Sequence, residues 1–133
     1  MHSVVLDSSA VLACILKEPG GERVHALLQA LDRGQDVRAA LSSVTWCEIL
    51  TRLYRENSEM TPEALTTLLS GVELVPLDKS GAERAADFSL ANPNLSLGDR
   101  ACLALASSRR ARAWTTDKVW AHCKAAVEIE ILR

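Results

Sequence analysis

Four carboxylates stand out by where they fall in the chain: Asp7, Glu48, Asp99 and Asp117. Asp7 directly follows the β-branched run Val4-Val5-Leu6, and Asp117 closes the run Trp114-Thr115-Thr116-Asp117. Asp99 opens a nearly all-apolar helix, and Glu48 lies one turn into a long one. Each also has an ordinary structural role open to it. Asp7 and Asp117 are suited to cap the helices that follow them, and Asp99 to close a capping box with Ser96. Glu48 has Arg52 four residues on as an ion-pair partner. Taken together the four point elsewhere. Three or four carboxylates in one pocket repel, and without a counter-charge at least one must protonate. No Lys or Arg is placed in the sequence to neutralise all of them, whereas a divalent cation would. Hard oxygen donors favour Mg²⁺ or Mn²⁺ over zinc. The reaction such a site most often serves is hydrolysis of a phosphodiester bond.

The elements that must position these acids follow from punctuation and periodicity. Strands are expected over 4–6, 37–41, 72–77, 111–115 and 127–132. Helices are expected over 10–16, 22–32 and 44–55, from a Thr61 cap to about Gly71, over 79–91, over 101–106 with Ser96 and Asp99 at its start, and over 118–125. In the helix over 44–55, Val44, Cys47, Leu50, Thr51 and Tyr54 form the expected inward stripe. Strands alternating with helices imply βαβ units, a parallel sheet and an α/β fold. Ligands of such sheets bind outside the carboxyl ends of the strands, at the switch point of strand order. That is where residues following a strand, such as Asp7 and Asp117, would stand.

Composition sets the outer limits. The chain has 133 residues, a length that fits one domain over 1–133. It is 48% hydrophobic and 24% charged, which is globular. With 15 Lys+Arg against 17 Asp+Glu, the net charge of -2 excludes a strongly basic nucleic-acid glove. Cys14, Cys47, Cys102 and Cys123 show no zinc-finger spacing and are expected as buried free thiols, in keeping with a reducing cytoplasm. No apolar run is long enough to cross a membrane and the N-terminus has no signal-peptide pattern, so a cytoplasmic protein is expected. Arg100, Arg109, Arg112 and Lys118 are candidates for a basic rim that contacts phosphates. Trp46 and Trp114 are expected to pack in the core rather than stack on bases.

Four segments carry a resemblance. They are Val5-Leu6-Asp7-Ser8-Ser9-Ala10, the run from Ser42 to Glu48, the run from Leu95 to Ala106, and Trp114-Thr115-Thr116-Asp117-Lys118. In order and spacing they resemble the four motifs of the PIN-domain family, most of all its VapC-type toxin ribonucleases. The resemblance implies an α/β/α sandwich with a central parallel sheet of strand order 3-2-1-4-5. It also implies a metal-dependent endoribonuclease, the toxin of a toxin–antitoxin pair, using Mg²⁺ with Mn²⁺ as a substitute. By resemblance Asp7 and Asp99 are direct metal ligands, Glu48 orients the attacking water or binds a second metal, and Asp117 acts through water. Ser9 and Thr115 match hydroxyl positions that orient the carboxylates. The implied partners are an antitoxin, an RNA whose single-stranded loops are cut, and a second copy in a homodimer. The antitoxin is expected over a groove of Leu16, Leu27, Leu28, Leu50, Leu53 and Tyr54. A module that binds RNA or a partner without cutting is the alternative. A phospho-acceptor domain or a haloacid-dehalogenase-like phosphatase needs a second acid beside the first, and here the run is Asp7-Ser8-Ser9.

Overall fold

The computed structural model describes residues 2–133. Five strands, β1 (His2–Leu6), β2 (Val37–Ser42), β3 (Glu73–Val75), β4 (Arg112–Thr115) and β5 (Ile129–Ile131), form one sheet. Its order is β3-β2-β1-β4-β5 and every pairing is parallel. Six helices accompany it: α1 (Ser8–Leu16), α2 (Gly21–Asp32), α3 (Ser43–Arg55), α4 (Pro62–Leu68), α5 (Lys79–Ala91) and α6 (Leu97–Arg109). The segment expected as a helix over 118–125 is instead a short 3-10 turn, Lys118–His122.

Alternation along the strands sorts the core into two layers. Val4 and Leu6 of β1, with Ala39 and Leu41 of β2, pack beneath α1 to α4 against Val11, Val24, Ile49, Leu53 and Leu65. Val5, Ala40 and Ala113 point to the other face, against Cys102, Leu103 and Ala106 of α6 and against Trp120. The result is the expected α/β/α sandwich with the expected strand order.

Connections leave β1 and β4 toward opposite sides of the sheet, so the switch point lies between these two neighbours. The backbone N–H of Asp7 donates to the Trp114 carbonyl at 2.9 Å, carrying the ladder one residue past the end of β1.

The buried face of α3 differs from the expected stripe. Thr45, Ile49 and Leu53 are buried, while Cys47, Thr51 and Tyr54 are exposed. Of the four cysteines only Cys102 is buried, and Cys47 stands in solvent. Among the residues expected to form a groove, Leu27, Leu28 and Leu53 are core and Leu16 and Leu50 pack against it, leaving Tyr54 exposed. Apolar leucines at helical spacing here fill the interior instead of lining an open surface.

Candidate active site

Asp7 is the buried centre of the site. It is the N-cap residue of α1 by position, yet its side chain makes no capping hydrogen bond. Its Oδ2 accepts instead from the hydroxyls of Ser9, at 2.7 Å, and Thr115, at 2.9 Å. The backbone sets the direction of both hydroxyls. Thr116 N–H donates to Ser9 Oγ and Asp117 N–H to Thr115 Oγ1, each at 3.0 Å, which leaves each hydroxyl proton to point at Asp7. These bonds staple the start of α1 to the segment after β4, across the switch point. Asp7 Oδ1 is buried with no hydrogen-bond partner among the described residues. Burial pushes the Asp7 carboxyl up from its ordinary value, against the pull of the Ser9 and Thr115 hydroxyls, and the charge of Asp99 pushes the same way.

Glu48 comes to the same place from α3. Its expected partner, Arg52, turns the other way and holds Glu56 at 2.7 Å. Glu48 is half-buried, and its Oε1 is buried with no partner among the described residues. Burial, then Asp7, then Asp99 raise its pKa to about 7, with a Ser8 contact opposing them. These causes place three carboxylates within each other's fields, and among the described residues no ion pair to any of them is formed. Cys102 of α6 lies in the same field: burial lifts its thiol well above the ordinary value, and Asp7, Asp99 and Glu48 add to the effect.

Asp99 and Asp117 have structural duties as well. Asp99 Oδ2 accepts from Ser96 N–H while Asp99 N–H donates to Ser96 Oγ, a complete capping box at the start of α6. Asp117 Oδ1 caps the 3-10 turn through Val119 N–H at 3.0 Å. The capping roles open to these two acids are therefore real, and each keeps its other oxygen for further work. For Asp7 and Glu48 the ordinary roles are absent.

This donor set fits a hard divalent cation. Two buried carboxylate oxygens, one on Asp7 and one on Glu48, lack any donor among the described residues, and Glu48 stands against Gly98, the neighbour of Asp99. Among the described residues no group of three or more His, Cys, Asp or Glu side chains stands close enough together to hold a metal ion. Mg²⁺ asks for less, since it keeps several waters and takes one or two carboxylates.

The basic residues divide. Lys118 is exposed beside Asp117. Arg100 turns under α5, donating to the Ala85 carbonyl at 3.2 Å. Arg109 and Arg112 lie away from the acids. Arg109 closes α6 about 15 Å of helix rise from Asp99 and grips Glu73 through two bonds of 2.9 and 2.8 Å. Arg112 opens β4 beside Val4, at the far end of the strands from Asp7, and pairs with Glu128 at 3.0 Å. With Arg23, Arg110 and Trp114 it lines a cavity of about 530 Å³ at that end. Arg112 is near Thr115 in sequence, but strand direction carries it toward the other end of β4. A cation the sequence reading missed is Arg133, whose Nε donates to the Thr116 carbonyl at 2.8 Å, beside Asp117. Gly98 was also missed, although it touches Glu48 and precedes Asp99. A glycine in the first turn of a helix is the only sequence signal it offers.

A family model described as the PIN domain matches residues 4–126. No curated protein matches the sequence. Solved structures share the fold. VapBC2 of Rickettsia felis, bound to a fragment of its promoter DNA, is 15% identical with a TM-score of 0.75, covering 96% of this chain and 97% of that one. VapBC-1 of nontypeable Haemophilus influenzae is 15% identical with a TM-score of 0.71, over 96% of both chains. VapC20 of Mycobacterium tuberculosis, described as a sarcin–ricin-loop-cleaving toxin, is 18% identical with a TM-score of 0.63, over 89% of this chain and 92% of that one.

Proposed function

Since the chain belongs to the PIN-domain family, we propose that it is a metal-dependent endoribonuclease and the toxin of a toxin–antitoxin pair. The observation that carries this reading is a pair of buried carboxylate oxygens, Asp7 Oδ1 beside the sheet's switch point and Glu48 Oε1, left without a donor among the described residues. Asp7 and Asp99 are the residues that would hold a Mg²⁺ or Mn²⁺ ion, with Asp117 in support. When bound, the ion lowers the pKa of a water and stabilises charge on the leaving oxygen. Ser9 and Thr115 hold Asp7 Oδ2, which would leave Oδ1 to the ion. Glu48, with a buried oxygen that has no donor among the described residues, is suited to orient the attacking water. Lys118 and Arg133, on the acidic side of the sheet, are suited to take the phosphates flanking the cut.

RNA loops suit this site better than duplex, because an unpaired backbone can bend toward a buried acidic centre. The loop-cleaving description of the Mycobacterium relative supports that choice. An antitoxin partner is supported by the VapBC complexes among the structural neighbours. A homodimer and a cytoplasmic site of action complete the reading, with residues 1–133 acting as one catalytic unit. No helix among the described residues is long and apolar enough to cross a membrane.

The test is to incubate the purified chain with total cellular RNA in Mn²⁺, in Mg²⁺ and in EDTA, and to map new RNA ends. Discrete new ends that need the metal support the reading. RNA retained without new ends would replace it with the binding module.

A further inference from the structure

Gly98 is the second residue of α6 and is buried. A methyl group built on its Cα would overlap both oxygens and the carboxyl carbon of Glu48. Its backbone is not in the left-handed region, so the conformation itself does not ask for glycine. A helical glycine weakens its helix relative to alanine. The need for glycine thus comes from the side chain in front of it. Glu48 has strong reasons to leave this place: it is partly desolvated, it faces Asp7 and Asp99, and one of its oxygens has no donor among the described residues. It is also half-exposed, so the end of its flexible chain has solvent to escape into.

We propose that Gly98 is a positioning residue whose bare Cα forms the seat that lets the Glu48 carboxylate stand beside Asp7 and Asp99. Any side chain at this position evicts Glu48 without breaking α6. This deepens the nuclease reading, and rests on it only where cleavage is the readout.

The experiment compares Gly98→Ala in three backgrounds, namely wild type, Glu48→Ala and Glu48→Asp. Initial rates are read on total cellular RNA with Mn²⁺, together with melting temperatures. In the wild-type background Gly98→Ala lowers the rate by about 10²-fold, the scale of a misplaced reacting group. Its melting temperature equals or exceeds that of wild type, because alanine favours the helix. In the Glu48→Ala background the same change costs nothing further. Glu48→Asp is shorter by one methylene and leaves room for the methyl, so there Gly98→Ala costs less than about tenfold. A loss that ignores residue 48, or a lowered melting temperature with an unaltered rate, overturns the proposal. A crystal structure of Gly98→Ala decides it independently of activity. The Glu48 carboxylate turned out to solvent supports the seat, and a carboxylate still beside Asp7 with α6 displaced refutes it. If wild type cuts no RNA, the nuclease reading fails and the crystal structure alone judges the seat.

Discussion

Asp7 and Glu48 are held in the site at a cost in stability, and that cost has a sign. Glu48 titrates at about 7 in the folded chain against an ordinary 4.5. The folded state therefore binds more protons than the unfolded state between these values, and stability falls as pH rises through that window. Asp7, raised chiefly by burial, acts in the same direction. We expect the melting temperature of the metal-free chain to drop between about pH 5 and pH 7.5, and to drop less in Glu48→Gln. Thermal scans across that range check it, and identical slopes for the two chains would contradict it. Saturating Mn²⁺ should restore stability most at the upper end, where the carboxylates are ionised. Thr115 makes a second prediction. Its hydroxyl donates to Asp7 Oδ2 and accepts from Asp117 N–H. Thr115→Val should raise the Mn²⁺ concentration for half-maximal cleavage by about 10–100-fold, the usual effect of losing an orienting partner. An unchanged metal midpoint would mean that Asp7 needs no such orientation. The sequence named every one of these residues, because strand ends and caps leave marks that can be read. It did not show which acids were free, since a capping acid and a ligating acid occupy the same kind of position. Only the hydrogen bonds separate Asp7, which caps nothing through its side chain, from Asp99, which closes a box.

At the scale of elements, the site depends on two lead-in segments being held together. Asn92, buried at the end of α5, ties them. Its Nδ2 donates to the carbonyls of Phe88 and Lys124, at 3.0 and 2.8 Å, and its Oδ1 accepts from Lys124 N–H at 2.6 Å. The chain from Asn92 leads into α6 and Asp99, and Lys124 follows the turn that Asp117 caps. Asn92→Ala removes all three of these side-chain bonds and should cost about 1–3 kcal/mol in equilibrium denaturation. A change near zero would show that these loops are held by packing alone. The same scale explains what the sequence concealed. The strands and most helices could be placed, since β-branched runs, caps and Gly or Pro stops all agreed. The buried face of α3 could not, because Thr45 anchors it and a polar residue does not register in an apolar pattern. Cys47 and Tyr54 offered a stripe of equal periodicity that proved to face solvent. The 3-10 turn was read as a helix because five residues of either look alike in composition.

Across the whole molecule, strand direction decides which charges work together. A parallel sheet sends every strand's carboxyl end to one side, so acids following β1 and β4 stand at one edge, while the arginines at and before the start of β4 lie toward the other. Arg112 and Arg109 are engaged by Glu128 and Glu73 there. Lys118 and Arg133 stand on the acidic side. Arg133→Ala should therefore raise KM for RNA and weaken its salt dependence, and Arg112→Ala should change neither. Equal effects from both would place the RNA path over the wrong end of the sheet. Strand order was legible through the family resemblance, not through local pattern. The fate of the basic residues was not, because their distance from the acids depends on strand polarity and helix length. The central claim is that the Asp7 cluster cuts RNA with a divalent ion. The most direct measurement is the rate of Mn²⁺-dependent cleavage of cellular RNA by wild type and by Asp7→Asn at matched folded fraction. The account predicts discrete cuts by wild type, abolished by EDTA and lost in Asp7→Asn. Cuts of equal rate and position from Asp7→Asn would contradict it.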